Sequence, residues 1–124
     1  MLKLLSLVFI GGGLGSVARV GVARLFAQYI TSALPFATFS VNIFGSFLIG
    51  LLWAVPCISD KSTWLHLLII GFCGGFTTFS AFSWENFNLL KQGDTFLFFA
   101  YAISSVVLCL LAVWGGYAIG KSIY

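Results

Sequence analysis

Long apolar runs separated by short polar turns dominate the pattern along this chain. The runs are continuous and long enough to cross a bilayer, which a helix of about 20 residues spans. Strands of a membrane barrel would instead alternate apolar and polar residues over about ten positions. The pattern therefore predicts an all-α membrane protein with four transmembrane helices, at about Leu4 to Ile30, Pro35 to Cys57, Trp64 to Leu90 and Thr95 to Ile119.

Polar turns and interfacial residues mark the ends of these runs. Residues 60–62 and 91–94 are polar turns, and Pro35 suits the first turn of a helix, where its missing N–H is no loss. Anchors at a membrane interface are expected near span ends, and this is where four tryptophans lie: Trp53, Trp64, Trp84 and Trp114. The short connections leave nothing for a soluble domain, so we expect one transmembrane domain over residues 1–124.

Composition supports a lipid environment. Hydrophobic residues make up 60% of the chain and charged residues only 7%, whereas a soluble domain carries about 25% charged residues. The mean hydropathy of +1.10 agrees with this interpretation. Cys57, Cys73 and Cys109 form no CxxC spacing, and we interpret them as small packing residues.

The charges at the two membrane faces are nearly balanced. An even number of spans places both termini on one side, which carries Lys3, Lys61 and Lys121. The other side carries Arg24, Lys91 and, if its side chain reaches that way, Arg19. Because the positive-inside rule then selects no orientation, we favour insertion in both orientations over a hidden charge bias. Two opposed copies would form an antiparallel homodimer with a two-fold axis in the membrane plane.

The third span contains an unusual polar stretch, residues 71–83, in which two adjacent glycines precede Thr77 and Thr78. Gly71 and Gly75 form a GxxxG pair, which indicates close helix packing. Alternatively, the helix breaks here and frees backbone carbonyls to bind a cation, as discontinuous helices do in transporters. Both interpretations can hold together.

Aromatic and hydroxyl side chains follow this stretch at helical spacing. Phe79 and Phe82 share one face, and Ser80 and Ser83 form a stripe beside them. Such phenylalanines are most often core or lipid-facing residues. An aromatic edge is nevertheless electropositive, and a serine hydroxyl donates hydrogen bonds. Together they can form a wall that attracts an anion without carrying a formal charge.

Further polar residues lie deep in the other spans. Asn42 either makes an interhelical hydrogen bond or presents its N–H donors to a polar pathway. Tyr101, Ser105 and Cys109 share a helix face, as a polar track or as a packing seam. Arg19 lies beyond the midplane of the first span, where it can reach the interface or attract an anion to a pore mouth.

Three stretches together resemble the Fluc/CrcB family of fluoride channels over nearly the full chain. They are the glycine-rich start ending in Arg19, residues 41–45, and above all the long and unusual residues 71–82. The resemblance implies antiparallel, dual-topology homodimers with two pores in a bacterial inner membrane. It further implies passive, selective export of cytoplasmic fluoride, with fluoride, lipid and a second copy as partners and no nucleic acid.

The resemblance also implies roles for individual residues. Asn42 looks like the pore asparagine, and Phe79 and Phe82 look like the phenylalanine pair whose ring edges face the anion. The main-chain carbonyls of Gly74 and Thr77, from both subunits, would hold a structural sodium ion. Cys109 stands where a hydroxyl is expected, and Ala81 where threonine is common. The predicted pore wall comprises Asn42, Thr78, Phe79, Ser80, Phe82, Tyr101 and Ser105, with Arg19 at the vestibule.

Neutral donors suit fluoride, because this small and strongly hydrated ion needs close replacements for its water yet must also leave the pore. The main alternative is a small dual-topology, proton-coupled multidrug exporter, which needs a carboxylate inside the membrane. Asp60 and Asp94 lie in turns and Glu85 lies near a span end, which counts against an exporter. A non-conducting assembly subunit would explain the glycines but not the donors. No enzyme is expected, since His66 is the only histidine and has no carboxylate nearby in sequence.

Overall fold

The computed structural model describes residues 1–32, 34–59 and 63–123, and every regular element in these ranges is a helix. Four segments are long and apolar enough to cross a membrane: Leu2–Tyr29, Phe36–Trp53, Leu65–Lys91 and Thr95–Ile123. The prediction of an all-α protein with four membrane-length segments is thereby confirmed. In chain order the helices are α1 (Leu2–Tyr29), α2 (Phe36–Trp53), α3 (Pro56–Ser59), a π-helix (Leu65–Cys73), α4 (Gly74–Phe76), α5 (Phe79–Lys91) and α6 (Thr95–Ile123).

The helix ends reflect local backbone chemistry. Helix α2 ends at Trp53, before the predicted end at Cys57, because the residue preceding Pro56 is disfavoured in helical conformation. Helix α5 ends at Lys91, and Gly93 follows it at φ 83°, a left-handed conformation that glycine adopts without steric cost. The amides of Gly93 and Asp94 donate back to the carbonyls of Leu90 and Leu89, which closes the helix end. The predicted turn at residues 60–62 lies outside the described residues.

Glycines bring two pairs of helices into backbone contact. Helix α1 packs along the π-helix and α4, and α2 packs along α6. A Cβ atom on Gly15 of α1 would collide with the Phe72 carbonyl, and one on Gly116 of α6 would collide with the Phe47 carbonyl. Small residues let helix backbones approach this closely in a membrane. One seam joins α1 to the third segment, and the other joins α2 to α6.

Gly71 and Gly75 belong to the first seam. Their Cα positions face Gly11 and Gly12 of α1, and a Cβ on either would crowd that helix. The close-packing interpretation of the GxxxG pair is therefore confirmed within one chain. Gly74 differs, since no atom lies within 4 Å of its ideal Cβ position.

Large apolar side chains point away from the protein interior. Helix α1 buries only Gly11 and Gly15 among its residues, while α6 buries Tyr101, Ser105, Gly116 and Gly120. The exposed residues of these helices include Phe9, Val17, Leu110 and Trp114. Such a distribution, with small or polar residues inside and bulky apolar residues outside, suits a protein whose solvent is lipid.

Candidate functional site

The backbone of the third membrane-length segment leaves helical conformation at Thr77 and Thr78. Helix α4 ends at Phe76, and Thr77 has φ −77° and ψ 157°. Thr78, with φ −150° and ψ 112°, caps α5 by accepting a 3.2 Å hydrogen bond from the Ala81 amide at its Oγ1 atom. Threonine is a weak helix former and a good N-cap, which favours a new helix start at this point.

Asn42 of α2 pairs with both backbone groups of Thr78. The Thr78 amide donates to Asn42 Oδ1 at 2.8 Å, and Asn42 Nδ2 donates to the Thr78 carbonyl at 3.2 Å. An unpaired backbone group in the membrane interior costs several kcal/mol, so this side chain stabilises the extended residues. The interhelical hydrogen bond considered for Asn42 is present, and it leaves one of the two N–H donors for another partner.

Backbone carbonyls lose their helical donors at this point, among them those of Gly74 and Thr77. In a continuous helix the Thr78 amide would donate to Gly74 and the Ala81 amide to Thr77. The first donates instead to Asn42, and the second to the Thr78 side chain. Unwound carbonyls of this kind coordinate Na⁺ in membrane transporters. The donor set therefore fits the sodium ion that the sequence resemblance implies at Gly74 and Thr77.

A cavity of about 340 Å³ lies beside these extended residues. It brings together five of the predicted pore residues: Asn42, Thr78, Phe79, Phe82 and Ser105. Within the described part of the chain, its lining carries no charged side chain. The remaining lining residues are Ser46, Ile49, Thr77, Val106, Cys109 and Leu110. The arrangement combines amide and hydroxyl groups with aromatic rings in a neutral, mostly apolar cavity that is open on one side.

Aromatic rings continue from this cavity toward α6. The ring centroids of Phe79 and Phe82 are 5.6 Å apart, and those of Phe82 and Tyr101 are 5.3 Å apart. Tyr101 also contacts Phe39 of α2 at 6.1 Å. Phe79 is 79% exposed in the single chain, although it lines the cavity. The rings are tilted rather than stacked, so electropositive edges are available to an anion.

Ser105 presents an unsatisfied hydroxyl to the cavity. Its side chain is only 6% exposed, and its Oγ atom has no hydrogen-bond partner in good geometry among the described residues. It lies near the Tyr101 hydroxyl on the same face of α6. A buried hydroxyl without a partner is costly unless a ligand or water completes it. Ser105 thus lacks a well-formed hydrogen bond beside the cavity that it lines.

Glu85 is the functional candidate that the sequence did not reveal. Thr38 of α2 donates to its Oε1 atom at 2.5 Å, and Tyr101 of α6 donates to its Oε2 atom at 2.8 Å. Sequence reasoning placed this acid near a span end and gave it no partner. Its spacing of three from Phe82 was the available signal, because it puts both residues on one face of α5. The Tyr101 hydroxyl cannot donate to an anion while it donates to Glu85.

Three predicted residues lie outside the cavity lining. Ser80 is exposed, and its Oγ atom is 3.2 Å from Thr78 Oγ1. Tyr101 lines a separate small cavity of about 60 Å³ between α2 and α6. Arg19 is half-buried on α1, one turn beyond Gly15, and its Nε atom has no partner among the described residues. None of these three residues forms part of the cavity wall.

Comparison with known proteins agrees with the family resemblance of the sequence motifs. The family model described as CrcB-like protein, Camphor Resistance (CrcB), matches residues 6–117. A protein of Gloeothece citriformis named fluoride-specific ion channel FluC is 46% identical, with 100% of this chain and 96% of the relative covered. A protein of the same name from Coxiella burnetii is 41% identical, with 94% of this chain and 97% of the relative covered. Another from Campylobacter lari is 44% identical, with 90% of this chain and 92% of the relative covered.

Proposed function

The chain belongs to the CrcB-like protein family, and we propose that it is a passive, highly selective fluoride channel. The observation that carries the proposal is the uncharged cavity in which Asn42, Ser105 and the Phe79–Phe82 pair meet. We further propose that the channel lies in a bacterial inner membrane and relieves the cytoplasm of toxic fluoride. A conducting role of this kind is not an enzymatic one.

The chemistry of the cavity suits a small, hard anion. Fluoride gives up tightly held water only where close donors replace it. The free Ser105 hydroxyl and the second N–H of Asn42 are such donors, and the tilted rings of Phe79 and Phe82 add electropositive edges. Because no formal positive charge lines the described cavity, the ion is bound weakly enough to leave.

We propose that the working unit is an antiparallel homodimer. Gly74 is exposed in the single chain, and its carbonyl has lost its helical donor. Phe79 is likewise 79% exposed beside the cavity that it lines. Lipid cannot satisfy a carbonyl, so a second copy placed against this face would resolve both features. The nearly equal positive charge on the two membrane sides supports opposed orientations. Each copy would then carry one pore.

A structural sodium ion completes the proposed dimer. The Gly74 and Thr77 carbonyls of the two copies would hold it, since both are free of their helical amides. The ion supplies a fixed positive charge that cross-links the copies, whereas Asn42 holds the backbone in the conformation that exposes these oxygens. Arg19, whose Nε atom has no partner within the described ranges, would add positive potential at the vestibule.

Ion efflux from liposomes containing the purified protein tests the proposal directly. We expect rapid fluoride loss without any imposed proton gradient, and chloride loss no faster than from empty liposomes. Equal loss of both halides would contradict selectivity. Fluoride movement that requires a proton gradient would instead favour a coupled transporter, for which Glu85 is the half-buried carboxylate.

A further inference from the structure

Cys109 places a thiol on the wall of the uncharged cavity. It lies on α6 one turn beyond Ser105, is half-buried, and lines the cavity together with Asn42 and Phe82. Cys73 provides a natural contrast, because it is 0% exposed within the third segment. Of these two free thiols, only Cys109 borders a space that a small molecule can enter.

A second feature of the same cavity indicates room for a ligand next to this thiol. Ser105, which lines the same cavity, is 6% exposed, and its Oγ atom has no partner in good geometry within the described chain, although the Tyr101 hydroxyl lies near it. The cavity volume of about 340 Å³ lies within the range of small-molecule sites, which begins at about 300 Å³. Cys109 and Ser105 therefore border one cavity that is large enough for a small reagent.

We propose that Cys109 is a modification site at which small, uncharged thiol-reactive electrophiles block the channel. The block as a transport effect rests on the proposed function, whereas the accessibility of the thiol does not. An uncharged reagent is specified because the described lining offers no countercharge and a charged one would be costly to desolvate. The adduct projects an apolar group beside the Ser105 hydroxyl and obstructs the donors that replace an ion's water.

Methyl methanethiosulfonate transfers its methylthio group to the Cys109 thiol. The Cys109 thiol loses its proton to water, and the thiolate sulfur attacks the methyl-bearing sulfur of the reagent. A disulfide bond forms between Sγ and that sulfur, while the bond to the sulfonyl sulfur breaks. Methanesulfinate leaves with the electron pair. Dithiothreitol reverses the modification by thiol–disulfide exchange, which restores the free thiol.

The test treats fluoride-loaded liposomes with methyl methanethiosulfonate and compares each protein with its own untreated efflux rate. Every protein in the comparison is full length and carries Cys57→Ser, so that labelling of Cys57 does not contribute to the result. We expect efflux to fall at least about tenfold on treatment, which corresponds to ~1.4 kcal/mol in the barrier, and to return after dithiothreitol. Cys109→Ser is expected to be insensitive, and Cys73→Ala to remain sensitive.

Peptide mass mapping of the treated protein supplies a readout that needs no transport. The methylthio group should appear on the peptide containing Cys109 well before the one containing Cys73. Absence of label at Cys109, label without block, or block that persists in Cys109→Ser would each overturn the proposal. If the untreated protein transports no fluoride, the channel assignment fails, and the mapping still decides whether the thiol is accessible.

Discussion

Among single residues, several polar side chains within the membrane segments pair with backbone groups, and a few polar atoms have no partner among the described residues. Asn42 and Thr78 belong to the paired group, because their side chains occupy backbone amides and a carbonyl. Ser105 Oγ and Arg19 Nε belong to the unpaired group, as does Asn86 Oδ1, which can only accept. The paired atoms shape the site, and the unpaired donors are buried atoms whose hydrogen-bonding capacity is unused within the described chain.

Replacing Asn42 tests its support of the backbone. We expect Asn42→Ala to abolish fluoride efflux and to lower thermal stability in detergent, since the Thr78 amide and carbonyl are left unpaired at about 1–3 kcal/mol each. Ser46→Ala is the matched control, because Ser46 lines the same cavity from α2 without touching Thr78 in any described hydrogen bond. Equal stability of the two variants would contradict the supporting role.

Replacing Phe79 tests the electropositive ring edge. Phe79→Ile keeps an apolar side chain but removes the ring, so we expect fluoride efflux to fall by about tenfold or more, equivalent to ~1.4 kcal/mol. Phe87→Ile is the control, since that exposed ring packs on Trp84 and does not line the cavity. Liposome efflux measured for both at equal protein content decides the matter, and similar losses would argue against a special role for Phe79.

At the scale of the helices, apolar runs predicted the number and approximate extent of the membrane-length segments. Length and continuity suffice for this, because lipid forces the backbone into helices. Partners across helices were not predictable in the same way. The hydroxyls that bind Glu85 come from Thr38 and Tyr101, 47 and 16 residues away in sequence. The pairing of Asn42 with Thr78 likewise depends on how α2 packs against the third segment, which no local pattern encodes.

Adjacent glycines of α6 offer a test of helix packing. We expect Gly116→Ala to destabilise the protein by about 1–3 kcal/mol, because its methyl group would collide with the Phe47 carbonyl of α2. Gly115→Ala should be neutral or slightly stabilising, since nothing lies within 4 Å of that position and alanine favours helix. Thermal unfolding in detergent compares the two variants, and an equal loss would place the α2–α6 seam elsewhere.

For the whole molecule, the exposed face around Gly74 and Phe79 is the surface on which we propose that a second copy packs. We expect Gly74→Leu to leave the folded protomer intact, because its Cβ position is open, but to prevent a second copy from packing there. Gly13→Leu on α1 is the control, with equally open surroundings. Size-exclusion chromatography with light scattering should show monomers only for Gly74→Leu. Unchanged dimers in that variant would exclude this face as the interface.

The glycine seams have a consequence for how this chain tolerates mutation. At Gly15 and Gly116 a single added methyl group meets a neighbouring main chain, whereas bulky residues such as Phe9 and Leu110 face outward. In a saturation library selected for growth, the glycines of the two seams should therefore remain unchanged. The bulky outward-facing residues should accept exchange among apolar types. In water-soluble domains, by contrast, large apolar residues are usually the ones that tolerate substitution least.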